Sequence, residues 1–516
     1  MDKLNIVFVL DDAEAPTMAA LTALEALCTD PAFEVCGIVQ CPAAAAGGAF
    51  AYNFVNAIDT ALFARTPPVD APNFHAQRSG IAIHSPQAFG DEDAKADVII
   101  DFATGGAPSA LRNRARYGVW RLTACDAFAG FRDTLGAAAA DVALIRYADA
   151  LPPRRIATAA YNVKLSAART AAYIREQSVA LLVRELKRLV LTGAPQDAGP
   201  YPVGAAIAPN PMDAAKYAGR FARALISRGI EKIREKAGLR PGMFFLKYGR
   251  GDPMNFDPSQ GADIIAPGNH YLADPFFFQN NGERFLFFED YDYGSGRGHI
   301  GVGKFEGAGF SFLGPALQTE YHLSYPFVFR HDGEIYMMPE TNQARRLEVW
   351  RCTKFPDQWT LCATALDGVS AADSVLFQHN GEFWIFTNIA SGAFGDHCSE
   401  LHLFRAGGPL LQDLTPHPLN PVVIDSRTAR GGGRVFEKDG RIFRLSQDNS
   451  HGVYGYALNV MEINRLDATG YSERLARKMT PDFEDGLIGC HHGDFADGDY
   501  VIDARRGLGG RARLTR

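Results

Sequence analysis

Residues 273–290 read ADPFFFQNNGERFLFFED, and the same layout returns four times further along the chain. The later copies are YPFVFRHDGEIYMMPE at 325–340, ADSVLFQHNGEFWIFTN at 372–388, GGRVFEKDGRIFRLSQD at 432–448 and CHHGDFADGDYVIDARR at 490–506. Each is an apolar run, an Asn-Gly or Asp-Gly pair, and a second run. Those dipeptides accept the positive φ angles of tight hairpins, so each copy predicts two antiparallel strands. The turn glycines Gly282, Gly333, Gly381, Gly440 and Gly498 are 51, 48, 59 and 58 residues apart, a blade-sized period. Intervening stretches such as 346–351 and 400–405 supply outer strands. Five such units around an axis predict an all-β five-bladed β-propeller over 243–516. A sandwich explains alternating strands but not five equivalent hairpins.

The repeat also aligns positions within the chain. Eight residues before each turn glycine stand Asp274, Tyr325, Asp373, Gly432 and Cys490; seven after stand Glu289, Glu340, Asn388, Gln447 and Arg505. A hairpin returns the end of its second strand to the start of its first, so all ten are expected near one mouth of the axial channel. Burying polar groups without partners is costly, which predicts either a wet, working channel or a tight polar network. Asp274, Asp373, Glu340 and Glu289 are the acid/base candidates. Glycosidic chemistry uses one carboxyl to protonate the leaving oxygen and another as base or nucleophile, and neighbouring carboxylates push one pKa up. Each acid also has a plainer reading, as a strand cap bonded to backbone amides. Tyr325, Arg434, Gln447, Asp448, His491, His492 and Arg505 are candidates for binding substrate. Adjacent histidines on a regular strand point to opposite faces, so at most one of the two is expected to face the channel. The glycines at 431–433, between Arg430 and Arg434, offer a sugar or phosphate close approach to the backbone. The sequence leaves any metal open.

Outside the repeat the texture differs. Strand-like runs at 4–10, 33–40, 98–102 and 118–122 alternate with helical spacing at 17–28 and 166–191. That predicts an α/β domain with a largely parallel sheet over 1–192. Residues 193–242 read as a Pro/Gly/Ala-rich linker followed by a basic helix at 213–237. Lys216, Arg220, Arg223, Arg228, Lys232, Arg234 and Lys236 give it two readings, a solvated connector or a peripheral contact with anionic lipid. The net charge of −7 carries no basic footprint, so no nucleic-acid partner is expected. No apolar run reaches the length of a membrane span. The first apolar run is too short for a signal segment, and the eight cysteines form no C-x-x-C pair, so the expected setting is a reducing cytoplasm.

The runs ADPFFF…FLFFED and SYPFVF…GEIYMMPE, with 447–463 (QDNS…YGYALNVMEI), resemble the N-terminal domain of glucosamine inositolphosphorylceramide transferases and its bacterial relatives, over about 245–510. That domain is similar in turn to five-bladed arabinanase/levansucrase-type glycosidases, which use three acids at the starts and ends of inner strands. The resemblance implies a carbohydrate or glycolipid substrate and surface-glycan assembly, by glycosyl transfer or glycosidic cleavage, with a nucleotide sugar as one expected donor. Asp274 matches the first acid; Tyr325 stands where the second belongs. A propeller that binds carbohydrate without turnover is the alternative. From Ile6 through 96–100 (ADVII) to 117–120 (YGVW), the first half resembles the formyltransferase (Rossmann-like) fold. Arg121 and Thr123 occupy the neighbourhood of that fold's working Asn and His, and no His occurs between His84 and His270. Without an imidazole to move protons, the resemblance implies a degenerate domain, with sugar N-formylation and a folate donor the least expected outcome.

Overall fold

The computed structural model describes residues 3–43, 50–63, 80–89, 96–149, 151–202, 208–236, 243–307 and 309–507. The chain divides into two compact units, Met1–Arg228 and Gly229–Arg516.

In the first unit β1 (Leu4–Leu10), β2 (Phe33–Gln40), β3 (Ala82–His84), β4 (Val98–Asp101), β5 (Val119–Leu122), β6 (Ala140–Tyr147) and β7 (Arg154–Tyr161) form one sheet, ordered β3-β2-β1-β4-β5-β6-β7. Ile6, Val7, Phe8 and Val9 are all buried, as expected of a strand covered on both faces. Pairing is parallel from β3 to β5 and antiparallel from β5 to β7. The sheet is therefore mixed, with four of its six pairings parallel and an antiparallel edge. Short 3-10 turns join β5 to β6, and six residues join β6 to β7; among the described residues neither connection holds a crossover helix. Helix α1 (Met18–Thr29) is capped by the Thr17 hydroxyl, which accepts from the Ala20 amide. Helix α2 spans Phe50–Phe63. Helix α3 (Ala167–Thr192) starts at the Ser166 cap and ends on left-handed Gly193. Within 193–211, Arg155 of β7 exchanges backbone hydrogen bonds with Ala198 and Gly199. Helix α4 spans Pro211–Lys236; the side chains of Lys232, Arg234 and Lys236, and residue 237, lie outside the described residues.

The second unit is a five-bladed propeller. After β8 (Phe244–Arg250) and β9 (Ala262–Ile264), blade 1 comprises β10 (His270–Asn280), β11 (Glu283–Asp292), β12 (Arg297–Glu306) and β13 (Gly309–Leu317). Blade 2 comprises β14 (Ser324–His331), β15 (Glu334–Glu340), β16 (Leu347–Lys354) and β17 (Gln358–Ala365). Blade 3 holds β18 (Ala371–His379), β19 (Glu382–Ile389), β20 (Glu400–Ala406) and β21 (Thr415–Pro416), with β22 (Val423–Ile424) added beside β20. Blade 4 holds β23 (Gly431–Lys438), β24 (Arg441–Asp448), β25 (Ala457–Asp467) and β26 (Gly470–Met479). All five Asn-Gly or Asp-Gly turns have positive φ at both residues, for example 52° at Asn281 and 78° at Gly282, which is what a two-residue hairpin needs.

The fifth blade is made differently. Its hairpin, β28 (Gly493–Ala496) and β29 (Asp499–Arg506), is joined by β27 (Leu487–Gly489), and β8 and β9 supply the other strands. β29 pairs with β8 from Asp499↔Arg250 to Arg505↔Phe244, so the segment that opens the propeller also closes it. Aromatic and aliphatic side chains fill the spaces between blades. Phe276, Phe327, Met338, Trp384 and Phe386 are all buried.

Candidate active site at the propeller axis

The site begins with a backbone bend repeated in three blades. Asp274, Tyr325 and Asp373 hold φ angles of 51°, 48° and 50°, a region that L-residues adopt at a cost. At each bend the hairpin ladder slips, between Ala273 and Phe276, Ser324 and Phe327, and Ala372 and Val375; in blade 4 it slips between Gly431 and Val435. Each bent residue thus carries a buried N–H with no ladder partner. A side chain from the preceding blade accepts it. The Asp274 amide donates to Asp503 (3.3 Å), that of Tyr325 to Asp274 (3.3 Å), that of Asp373 to Glu340 (3.3 Å) and that of Gly431 to Asn388 Oδ1 (2.8 Å). Asp503 Oδ1 also accepts from the amides of His491 and His492, at 2.9 and 3.0 Å. The acids therefore stitch the blades together, as the cap reading of the sequence anticipates.

They do more than cap, because they outnumber the cations. Asp274, Glu289, Glu340, Asp373 and Asp503 are all buried. Facing them, Arg430 Nε lies 2.7 Å from Asp373, and its Nη2 lies 3.5 Å from Glu340. Gln447 Nε2 donates to Asp373 at 3.0 Å and to the Gly431 carbonyl at 2.6 Å. His491 stands between Asp503 (Nδ1, 2.8 Å) and Asp274 (Nε2, 3.5 Å). Glu289 is approached by the Tyr271 hydroxyl at 3.3 Å and by His322 Nε2 at 3.4 Å. The Gly298 amide donates to His322 Nδ1, which leaves the Nε2 hydrogen aimed at Glu289.

Protonation follows from this imbalance. Burial raises the Asp274 carboxyl to about 7, with His491 opposing and the Asp373 charge adding. Burial, reinforced by neighbouring carboxylates, holds Glu289 and Glu340 well above the ordinary range. Burial also acts on Asp373, but the charge and hydrogen bonds of Arg430 outweigh it and keep that carboxyl below its usual value. Asp503 is likewise held low against its own burial, by His491. Two carboxylates stay ionised among three neutral or nearly neutral ones, the separation of roles that acid/base chemistry uses. Among the described residues, Asp274, His491 and Asp503 form the one trio whose ligand atoms lie within 4.8 Å of one another, and so could hold a cation.

Above the acids lies an aromatic rim. Tyr454 is 41% exposed; the Arg430 guanidinium lies 5.0 Å from its ring centre, and the His491 ring is 5.3 Å away. The arc continues from His491 to Phe244 (4.9 Å), Tyr271 (5.6 Å) and Tyr291, which stacks on Tyr271 at 4.7 Å. Arg505 reaches this rim, its guanidinium 5.5 Å from the Phe244 ring centre and its buried Nε without a hydrogen-bond partner.

Several positions read from the sequence are placed elsewhere. Arg434 leaves the cluster to pair with Asp494 at 3.0 Å and to donate to the Val328 and Phe277 carbonyls, between the rings of Phe276 and Phe327. It lies within the ladder irregularity between Gly431 and Val435. Asp448 turns outward to Lys478 of β26 and accepts from the Ser450 amide. The Tyr325 hydroxyl is closed off: it accepts from the Gly433 amide and donates to the Gly433 carbonyl across the axis. The two histidines do not take opposite faces, because 490–492 is not regular strand; their rings approach Asp274 at 3.5 and 3.6 Å. His492 is wedged against Phe276 and Tyr325 with neither ring nitrogen hydrogen-bonded, and burial lowers its pKa to about 3. The glycines at 431–433 admit protein rather than ligand. A Cβ on Gly432 would stand 2.7 Å from the His491 carbonyl, and one on Gly433 2.2 Å from that of Gly493. Arg430, Asp503 and Tyr454 belong to the site without having been read as its members. Asp503 was within reach, since it shares a strand face with Arg505 two residues away.

The profile described as "Glucosamine inositolphosphorylceramide transferase 1, N-terminal" matches residues 259–482. A rice protein (Oryza sativa subsp. japonica) named glucosamine inositolphosphorylceramide transferase 1 is 37% identical over 209 residues, which is 40% of this chain and 28% of the relative. The Arabidopsis thaliana protein of that name is 35% identical over 209 residues, 40% of this chain and 27% of the relative. The chain thus spans under a third of the length of these relatives. Among solved structures, Zg3597, a family 117 glycoside hydrolase from Zobellia galactanivorans, aligns at 12% identity and a TM-score of 0.33, over 52% of this chain and 91% of that one. The profile match takes in Asp274, Glu289, Glu340, Asp373, Arg430 and Tyr454; His491 and Asp503 lie beyond it.

Proposed function

We propose that the propeller acts on a carbohydrate or glycolipid and makes or breaks a glycosidic bond at its axis. One observation carries this reading: Asp373, kept ionised by Arg430, shares a buried cluster with Asp274, Glu289 and Glu340, which burial keeps protonated or nearly so. A protonated carboxyl can give its hydrogen to a leaving oxygen, while an ionised one steadies the positive charge that develops on the sugar or takes a proton from the incoming hydroxyl. Asp274 and Glu340 are the proposed acids, Asp373 the proposed carboxylate. Tyr454, exposed over Arg430, supplies a face on which a sugar ring stacks. The name shared by the family model matched over 259–482 and by the relatives supports a glycolipid acceptor, and a nucleotide sugar is the proposed donor. The first unit is proposed as a formyltransferase-like scaffold without formyl transfer, since Arg121 is occupied by an ion pair with Asp101 at 2.9 Å.

A second reading, a propeller that binds sugar without turning it over, is favoured by the amide-capping roles of Asp274, Glu340 and Asp503. The two part on one experiment. The purified chain is incubated with nucleotide sugars and with oligosaccharides or glycolipids, and products are followed by mass spectrometry beside calorimetry. Turnover supports the first reading. Binding without product rejects it in favour of the second, and neither binding nor turnover rejects both.

A further inference from the structure

We infer that α2 and α4 of the first unit form a surface that docks on an anionic membrane. On α2, Phe50, Phe54, Ile58 and Leu62 recur one turn apart and face outward, Phe50 at 85% and Leu62 at 67% exposure. The opposite side of the helix is anchored. Tyr52 and Asp59 are buried, and Asp59 accepts from the Tyr217 hydroxyl of α4 at 2.6 Å. The Phe63 and Phe221 rings meet at 5.5 Å, so the two helices are neighbours. Beyond this contact α4 shows its own stripe, from Met212 through Ala215, Gly219 and Ala222 to Ile226, at spacings of three and four residues. Met212 and Ile226 are each 63% exposed.

Charge decides the occupant. Pro211–Lys236 carries seven Lys or Arg against three Asp or Glu, in a chain whose net charge is −7. Lys216, Arg220, Arg223 and Arg228 are exposed, and no acid lies between Asp213 and Glu231. A second copy of the chain would bring the same cations against these, and the small residues mid-stripe offer it little to bury. An anionic bilayer meets both features: the large apolar side chains enter the acyl boundary while the cations reach lipid phosphates. This inference does not rest on the sugar chemistry proposed for the propeller.

The test is co-sedimentation of the full chain with vesicles of phosphatidylcholine alone, or with about 30% phosphatidylserine added, the anionic surface being worth most to clustered cations. Binding is expected with the anionic vesicles and is weakened by about 0.5 M salt. Replacing Lys216, Arg220 and Arg223 together by Glu should weaken partitioning by roughly tenfold or more. Phe54→Glu with Ile226→Glu should weaken it in a separate preparation. All five positions are solvent-facing, so the melting curve of each variant should match the parent, which separates lost binding from lost folding. No binding to anionic vesicles, equal binding to neutral ones, or full binding by both variants overturns the proposal. A dimer in solution that Ile226→Glu dissociates also overturns it, by giving the surface to a second copy.

Discussion

Each unit of the molecule buries an arginine against an aspartate, and the two pairs differ in what surrounds them. In the first unit Arg121 meets Asp101 at 2.9 Å, Asp126 at 3.3 Å, and the carbonyls of Ala103 and Cys125 at 2.6 and 3.0 Å. Its donors are directed at groups that need nothing else, beside a cavity of about 400 Å³ whose lining sets two cations, Arg112 and Arg121, against two acids, Asp101 and Asp126. In the propeller Arg430 meets Asp373 and Glu340, and Asp274, Glu289 and Asp503 lie beyond. The first pair is closed and reads as structure. The second leaves acids that no cation neutralises, and burial then keeps some of them protonated. Surplus charge, rather than the ion pair itself, is what singles out the candidate site.

Removing the cation from each pair tests that contrast most severely. Arg430→Met and Arg121→Met should each destabilise the chain by about 3–5 kcal/mol in urea unfolding, because each strands a buried carboxylate. Only Arg430→Met should also abolish sugar turnover, measured on the folded fraction; equal losses of turnover would erase the distinction. Asp274→Asn comes next. Turnover should fall by about 10²–10⁴-fold while the melting temperature barely moves, since this carboxyl is already near neutrality and an amide oxygen can still accept from Tyr325.

The pH dependence sharpens the same comparison. Asp274 has a folded pKa of about 7, above the ordinary value, so the stability it contributes is full in acid and is lost as pH rises through about 7. Asp373 is shifted the other way, and its contribution is present above the ordinary carboxyl range and lost as pH falls below it. Turnover that needs Asp373 ionised and Asp274 protonated should therefore decline above about pH 7 and hold down to the carboxylate range. A rate that rises steadily to pH 9 would contradict the assignment. The smallest effect is expected at the rim. Tyr454→Ala should weaken sugar binding by about 0.5–1.5 kcal/mol, read by calorimetry, without changing stability.

The turn dipeptides made the propeller legible, because Asn-Gly and Asp-Gly fix where a hairpin reverses, whatever its strands do. Counting from those turns found Asp274, Glu289, Glu340 and Asp373, since strand length from turn to axis is the same in the first three blades. It landed on Arg505 instead of Asp503 in the fifth, where the first strand is short and 490–492 is irregular. Arg430 was seen only as a neighbour of the glycines, because it precedes the strand and its partner Asp373 lies 57 residues away. Periodicity cannot report such a pairing. In the first unit β1, β2, β4 and β5 were readable as apolar runs, but β3, β6 and β7 were not, since β3 is three residues long and Asp141, Arg146, Arg154 and Arg155 interrupt the other two.

The closure of blade 5 has a consequence for when the site exists. Asp503, which accepts the Asp274 amide, lies on the strand that zips against 244–250. A ribosome delivers those two strands some 250 residues apart. Until the later one arrives, Asp274 lacks both its neighbour and its histidines, and the emerging blades hold an unfinished cavity. The cluster is thus completed by the last step of circular assembly, and the chemistry proposed for it would become available only once the ring is shut.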